Sequence, residues 1–241
     1  MSAKKTDTKA ASNANASKSG GLESQLDRLQ KPLTYIGLAL IVVVGGLYLY
    51  KEFIQKPNEE KALNSIFMAQ EYFEQGNFNA ALNGDGQNFG LLDIANKYSG
   101  TSQGNLSNLY AGIAYMHMAT VTDSSGNRNT GYYDDAIKHL KKFSTSSEFM
   151  GAIANARLGD CYSELGDYSQ AISYYEKAAN RAKNEFSTPS YLHKLGLACL
   201  ETANYSKASS AFGTLLEEYP NSDEGRQAKQ YKALADAKTA N

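Results

Sequence analysis

Cysteine is scarce in this sequence, and the shortage excludes whole classes of site. The 241 residues contain only Cys161 and Cys199, with no Cys-x2-Cys pair and no histidine at ligand spacing beside either. A disulfide framework and a cysteine-based zinc centre are therefore excluded by counting. We expect two free, buried thiols, and the alternative is one long-range disulfide between them.

Histidine and excess positive charge are also scarce where a site would need them. His117, His139 and His193 lie far apart, and the sequence has no His-Glu-x2-His and no Gly-x-Ser-x-Gly motif. No catalytic, cofactor-binding or metal-binding residues are therefore predicted. An enzyme with a site hidden in a surface groove ranks third among the possible functions, after the two scaffold functions given below. Residues 57–241 carry 16 Lys and Arg against 21 Asp and Glu, which argues against nucleic acid as a partner.

Charge is absent altogether from one stretch. Residues 33–50 form an uncharged apolar run bracketed by Lys31 and Lys51. As a helix this run is about 27 Å long, and one further turn reaches the roughly 30 Å of a hydrocarbon core. We predict a transmembrane helix over residues 32–54. A cleavable signal peptide is the main alternative, but the run is longer than usual and no small-x-small cleavage site follows Leu49.

Two short segments precede the predicted span. Residues 1–21 have no large apolar side chain beyond Met1 and are predicted to be a disordered cytoplasmic tail. Residues 22–31 place leucines at helical spacing, which predicts a short amphipathic helix or, equally, a frayed extension of the span. Six Lys and Arg precede the span and three follow closely, so the N-terminus is expected in the cytoplasm of a bacterium and residues 55–241 in the periplasm.

Residues 55–241 contain an internal repeat. Two clear copies place small and aromatic residues at matching positions: Leu158, Gly159, Tyr162, Gly166, Tyr168, Ala171 and Ala178, then Leu195, Gly196, Tyr205, Ala208, Phe212 and Pro220. A looser copy over residues 111–143 carries extra residues 116–130 between its helices, and a fourth begins at Ala69. The spacing resembles the 34-residue tetratricopeptide repeat. We therefore predict an all-α fold, an N-terminal transmembrane helix followed by an α-solenoid of about four helix pairs.

The repeated positions have packing roles in this frame. The glycine at the eighth position and the alanine at the twentieth let paired helices approach closely, and aromatic residues fill the space between pairs. Residues 83–90 interrupt the second helix of the copy that begins at Ala69, which is the first in chain order. A structural loop is favoured there over a phosphate or calcium loop, because only one acidic side chain is present. Two similar segments, Tyr98–Gly104 and Tyr219–Gly225, are predicted to start helices with Thr101 and Ser222 as N-caps.

A stack of helix pairs usually serves as a protein-binding surface. The residues predicted on its groove face are Ile153, Ala156, Arg157, Asp160, His193, Lys194 and Leu197. They do not match the Lys and Asn pattern of tetratricopeptide domains that clamp a C-terminal carboxylate, so that mode is not predicted. The expected partners are other proteins or exported polypeptides, and self-association through the groove or the anchor is a further alternative.

The order of arm, anchor and exported repeats resembles a family of bacterial inner-membrane tetratricopeptide proteins that includes the ancillary subunit of the Sec translocon. Ala81–Gly86 and Leu92–Ile94, followed by Ala111 and Gly112, look like versions found in Bacteroidetes. The likeness covers nearly the whole chain, and its specific motifs are those of the repeat. It implies a role beside Sec translocon subunits, handing exported proteins to periplasmic chaperones. The alternative is an envelope scaffold for cell-wall or outer-membrane assembly.

Overall fold

Apolar residues at helical spacing produce an all-α structure, as predicted. The computed structural model describes residues 32, 34–122 and 126–240, so the predicted tail (1–21) and amphipathic helix (22–31) lie outside the described residues. The helices of the described part are α1 (Thr34–Glu74), α2 (Phe78–Asn83), α3 (Leu91–Lys97), α4 (Ser102–Thr120), α5 (Gly131–Lys142), α6 (Glu148–Glu164), α7 (Tyr168–Arg181), α8 (Thr188–Glu201), α9 (Tyr205–Glu218) and α10 (Asp223–Thr239). The chain divides into two units, Met1–Pro57 and Asn58–Asn241.

The first unit contains the apolar part of α1. From Thr34 this helix is long and apolar enough to cross a membrane, and its apolar window lies entirely on the surface. One π-helical turn, Lys51–Gln55, follows the apolar part, and the Lys56 ammonium lies 2.5 Å from the Glu52 carboxylate there. A membrane span and a signal sequence near the N-terminus have this length and composition in common.

The second unit is a stack of helix pairs. The part of α1 after Asn58 shares an apolar core with α2, α3 and α4. Each later pair, α4 with α5, α6 with α7 and α8 with α9, packs against the next, and α10 covers the last pair. Every repeat thus buries its apolar face on its neighbours, which is how a solenoid is stabilised.

Small residues allow the two helices of a pair to approach closely. A Cβ atom added to Gly159 would lie 2.6 Å from the Tyr175 ring, and one added to Gly196 would lie 2.5 Å from the Phe212 ring. Both distances are far inside ordinary carbon contact, so any larger residue at either position would force the facing ring to move.

The turn has a common form in three of the pairs, α1 with α2, α6 with α7 and α8 with α9. Gly76 and Gly166 have positive φ angles of 74° and 76°, and the equivalent residue of the last pair is Ala203, with φ of 55°. The next residue in each turn caps the following helix, as Asp167 does by accepting a hydrogen bond from the Gln170 amide at 3.1 Å. An alanine in this left-handed region is strained, because its Cβ approaches the following carbonyl oxygen.

The two similar segments found in the sequence have the same geometry. The Thr101 hydroxyl accepts from the Gly104 amide at 3.0 Å and donates to the Tyr98 carbonyl at 2.7 Å. The Ser222 hydroxyl accepts from the Gly225 amide and donates to the Tyr219 carbonyl, both at 2.9 Å. Both predicted N-caps are therefore confirmed.

One predicted boundary is wrong. Residues 116–130 were expected to connect two helices, but α4 continues to Thr120, because Met116 and Ala119 still have packing partners on α5 and α6. The connection that follows is fastened by Arg128. Its guanidinium donates to the Ala119 carbonyl at 3.2 Å and to the Tyr133 hydroxyl at 2.6 Å.

The glycine-rich segment interrupts the second helix of the first pair, as predicted, and separates α2 from α3. Asp85 closes this loop, since its carboxylate accepts from the backbone amides of Gln87 and Asn88 at 2.8 and 2.6 Å and from the Tyr72 hydroxyl at 2.8 Å. These hydrogen bonds hold the pKa of Asp85 well below its ordinary value. The carboxylate is fully engaged in holding the loop.

Candidate functional site

A pocket of about 390 Å³ lies where α4, α6 and α8, the first helices of three successive pairs, face one another. We call it the groove pocket. Its lining residues are Ile113, Met116, His117, Thr120, Tyr133, Arg157, Asp160, Ser163, Glu164, Tyr175 and Lys194. Its size falls near the lower end of the roughly 300–1,000 Å³ typical of ligand sites. It therefore suits a side chain or two rather than a folded surface.

The repeat register explains which residues reach this pocket. In α4 the lining residues Ile113, Met116 and His117 lie one, four and five positions after Gly112. In α6 the residues Asp160, Ser163 and Glu164 lie one, four and five positions after Gly159. Positions three and four apart share one face of a helix, so α4 and α6 present the same stripe. From α8 only Lys194, two positions before Gly196, reaches the pocket.

Asp160 is the centre of the polar end of the pocket. Its carboxylate accepts hydrogen bonds from the Lys194 ammonium at 2.7 Å, the Tyr175 hydroxyl at 2.9 Å and the Arg157 guanidinium at 3.2 Å. The Asp160 side chain is 14% exposed, whereas those of Arg157 and Lys194 are 44% and 37% exposed. The carboxylate is thus inside, and the two cations reach the solvent beside it.

The other walls of the pocket are uncharged or charge-balanced. Ile113 and Met116 of α4 are half-buried and form its apolar side. Glu164 is paired with Arg128, at 2.9 Å between the guanidinium and the carboxylate. The His117 ring stacks on Phe78, with ring centroids 4.6 Å apart.

Burial controls the protonation of the rings around the pocket. Burial, and then the charge of Arg157, lowers the pKa of His117 below its ordinary value of 6.5, so the imidazole is neutral at pH 7. Burial, and then the negative charge of Asp160, raises the pKa of the Tyr175 hydroxyl, which stays protonated and donates to Asp160. The groove pocket therefore contains fixed ion pairs and neutral rings at neutral pH.

The structure brings three of the predicted groove residues together, namely Arg157, Asp160 and Lys194. Ile153 is half-buried on the preceding turn of α6, outside the pocket lining. Ala156 is 5% exposed and Leu197 half-buried, and both belong to or pack on the core between the last pairs.

His193 lies in an aromatic cluster instead of the pocket. Its ring contacts those of Phe212 and Tyr231 edge to face, with centroids 6.0 and 5.3 Å away. Its Nε2 atom is buried and has no hydrogen-bond partner in the part of the chain that the structure describes. Burial lowers the pKa of His193.

The residues predicted to pack the repeats lie at three levels of exposure. Leu158, Gly159, Ala171, Ala178, Leu195, Gly196, Ala208 and Phe212 are buried, Tyr162, Tyr168 and Tyr205 are half-buried, and Gly166 and Pro220 are exposed in turns. The half-buried Tyr162 stacks on Tyr174 with ring centroids 5.5 Å apart, and its hydroxyl accepts from Lys141 at 2.8 Å.

The pocket also contains Ile113, Met116 and Glu164, which are not among the groove residues predicted from the sequence. A signal was present, because counting one, four and five positions from the small residue of every repeat selects all three. Tyr133 and Tyr175 come from second helices, and their access to the pocket follows from helix packing that the frame does not specify.

Cys161 and Cys199 are free and buried. Burial raises the pKa of Cys161 to about 12 and that of Cys199 to about 11, so both stay protonated and unreactive at neutral pH. Over residues 34–122 and 126–240, no group of three His, Cys, Asp or Glu side chains is placed to hold a metal ion.

Comparison with known proteins supports the same architecture. Residues 149–219 match the family model described as "Tetratricopeptide repeat". The crystal structure of the MamA protein is similar over 75% of this chain and 87% of its own, at 19% identity and a TM-score of 0.53. Two crystal structures are described as "Podosopora anserina putative kinesin light chain nearly identical TPR-like repeats", one of them with a single substitution. Both are similar over the same shares of the two chains, at 13% identity and a TM-score of 0.52. No curated protein matches the sequence.

These likenesses establish the fold. The second unit is a tetratricopeptide-type α-solenoid, and the match to the tetratricopeptide repeat model over residues 149–219 runs from the start of α6 to the end of α9. Such repeats form protein-interaction scaffolds. The groove pocket lies where the first helices of three successive pairs face one another.

Proposed function

We propose that this chain is a membrane-anchored scaffold that binds other polypeptides in the groove formed by its helix pairs. The groove pocket carries the proposal, since three successive repeats contribute to one solvent-open site with an apolar wall and two exposed cations. A site of this composition suits recognition of a peptide segment, because it offers both apolar contact and charge-assisted hydrogen bonds.

The anchor is the apolar part of α1. Its uncharged run matches a bilayer in length, and the excess of Lys and Arg before it favours a cytoplasmic N-terminus and an exported solenoid in the periplasm. Two measurements test this arrangement. The mass of the mature chain distinguishes an uncleaved anchor from a cleaved signal sequence, and protease added to spheroplasts should digest the solenoid while an N-terminal epitope tag stays protected. Protection of the solenoid would contradict the proposed orientation.

The partners proposed are exported polypeptides and subunits of the Sec translocon, with hand-off to periplasmic chaperones. This part rests on the resemblance to inner-membrane tetratricopeptide proteins and on the inferred orientation. A photo-crosslinking residue at Met116, in the groove pocket, should capture translocon subunits, chaperones or their clients in intact cells. The same residue at Ser210, exposed on α9 away from the pocket, is the matched control. Capture of cell-wall or outer-membrane assembly proteins at Met116 would instead favour an envelope scaffold.

A further inference from the structure

Two cations at the polar end of the groove pocket share one carboxylate. Arg157 and Lys194 occupy the same repeat position, two residues before Gly159 and Gly196, and both bind Asp160. Glu164, the fourth charged residue of the lining, is neutralised by Arg128, which lies outside the lining. The group formed by Asp160, Arg157 and Lys194 therefore carries one positive charge in excess.

The donors of these cations are not used up by Asp160. A Lys ammonium has three N–H donors and an Arg guanidinium has five. Arg157 and Lys194 each make one hydrogen bond to Asp160, and more than a third of each side chain is open to solvent. A second carboxylate can therefore bind beside Asp160 without displacing it, and a walled pocket strengthens the attraction by focusing the field.

An apolar surface lies next to this positive end. Ile113 and Met116, from the neighbouring first helix, are half-buried and face the same pocket as Arg157 and Lys194. The α4 residues that line the pocket include no carboxylate, and the pKa of His117 is lowered, so this wall is uncharged at pH 7. The pocket thus offers an apolar half and a cationic half within about 390 Å³.

We propose that the groove pocket recognises an internal polypeptide segment in which an apolar side chain adjoins an Asp or Glu. The apolar side chain packs on Ile113 and Met116, and the carboxylate accepts hydrogen bonds from Arg157 and Lys194. The proposal rests on the proposed function and adds the chemistry of the partner. The single excess charge matches one carboxylate and is too small to hold a polyanion.

The test uses the full chain in detergent and fluorescent nine-residue peptides that are acetylated and amidated, so that no terminal carboxylate is present. The probes share a Gly-Ser background and carry Phe-Asp, Phe-Asn or Ala-Asp at the centre, and binding is followed by fluorescence anisotropy. We expect Phe-Asp to bind about tenfold more tightly than either of the others. Phe-Asn lacks the charge-assisted hydrogen bond and Ala-Asp lacks the apolar contact, and the loss of one such interaction accounts for about a factor of ten.

Variants then locate the effect. Arg157→Met combined with Lys194→Met should weaken Phe-Asp about tenfold and leave Phe-Asn unchanged. Lys207→Met is the matched control, because Lys207 is 39% exposed and paired with Glu176 outside the groove pocket. Asp160→Asn removes the negative charge that would lie beside the bound carboxylate and should tighten Phe-Asp binding. Circular dichroism reports whether each variant folds. If the double variant unfolds, the single variant Lys194→Gln takes its place, because the Lys194 side chain is 37% exposed.

The outcomes separate this inference from the proposed function. Equal binding of Phe-Asp and Phe-Asn, or equal loss with Lys207→Met, overturns the inference while the scaffold function stands. Binding only of peptides with a free C-terminal carboxylate overturns it in the same way. Failure of every peptide, together with no cross-links from Met116 in cells, overturns both.

Discussion

Gly159 allows α6 and α7 to approach each other closely. The substitution Gly159→Ala should therefore displace Tyr175 in the groove pocket and lower the free energy of unfolding. The added Cβ would lie 2.6 Å from two carbons of the Tyr175 ring. Carbon atoms in contact are about 3.5–4.0 Å apart, so the ring would have to retreat by about 1 Å. Tyr175 is 3% exposed and its hydroxyl is bound to Asp160 at 2.9 Å, so this retreat strains both the core and the centre of the pocket.

Two effects of opposite sign decide the magnitude. Overpacking of this kind costs about 1–3 kcal/mol. Replacing a glycine inside a helix by alanine returns about 0.5–1 kcal/mol. We expect a net loss of about 1–2 kcal/mol, which for a domain of this size lowers the midpoint of thermal unfolding by about 2–8 °C.

Gly213→Ala is the matched control. Gly213 lies within α9, and the nearest atom to its added Cβ is the Cε of Lys232 at 3.6 Å, an ordinary contact. Only the helix-propensity gain applies there, so the midpoint should rise by about 1–4 °C. Thermal unfolding of the full chain in detergent, followed by circular dichroism at 222 nm, compares the two variants. If Gly159→Ala is as stable as Gly213→Ala, the close-approach argument is wrong.

Four further experiments test other parts of the structure. Ala203→Gly should raise stability by about 0.5–1 kcal/mol, because glycine adopts the observed positive φ without strain, and an unchanged melting midpoint would refute this. Glu59→Gln should cost about 1 kcal/mol in the same assay, because the Glu59 carboxylate accepts from the first amide of α4 at 3.0 Å, and a neutral result would show that water replaces it. Cys161 and Cys199 should react with iodoacetamide at pH 8 only after unfolding, since burial raises the pKa of both thiols to about 12 and about 11; rapid labelling of the folded chain would contradict their burial. Burial lowers the folded-state pKa of His193 below 6.5, so below about pH 6.5 the unfolded chain binds a proton that the folded chain does not, and stability should fall as the pH drops. The variant His193→Phe should lose less stability over the same pH range, and an unchanged pH profile would exclude His193 as a cause.

The repeat frame could be predicted from the sequence because its signals are local. Gly159 and Gly196 recur at a fixed spacing from tyrosine and alanine, and such a period is produced by one supersecondary unit repeated along the chain. The N-caps Thr101 and Ser222 were predictable for the same reason, since a hydroxyl capping an amide three residues later is a contact within one short segment. The uncharged run of residues 33–50 is likewise a property of adjacent residues.

The connection between α4 and α5 was not predictable in this way. Nothing in residues 116–130 marks the end of α4 at Thr120, and packing on neighbouring helices extends it. The place of Arg128, which joins the Ala119 carbonyl and the Glu164 carboxylate, depends on two helices that meet only in the folded chain.

The sequence alone therefore determined the all-α solenoid, its approximate number of helix pairs and the apolar helix before it, because helical periodicity, capping and hydrophobic length are encoded within a few turns of chain. Only the tertiary structure decided that Asp160, which pairs with Arg157 within α6, also binds Lys194 of α8 and Tyr175 of α7. The strength and direction of ion pairs and hydrogen bonds depend on distances of a few ångströms between helices, and these distances are set by how every repeat packs on its neighbours.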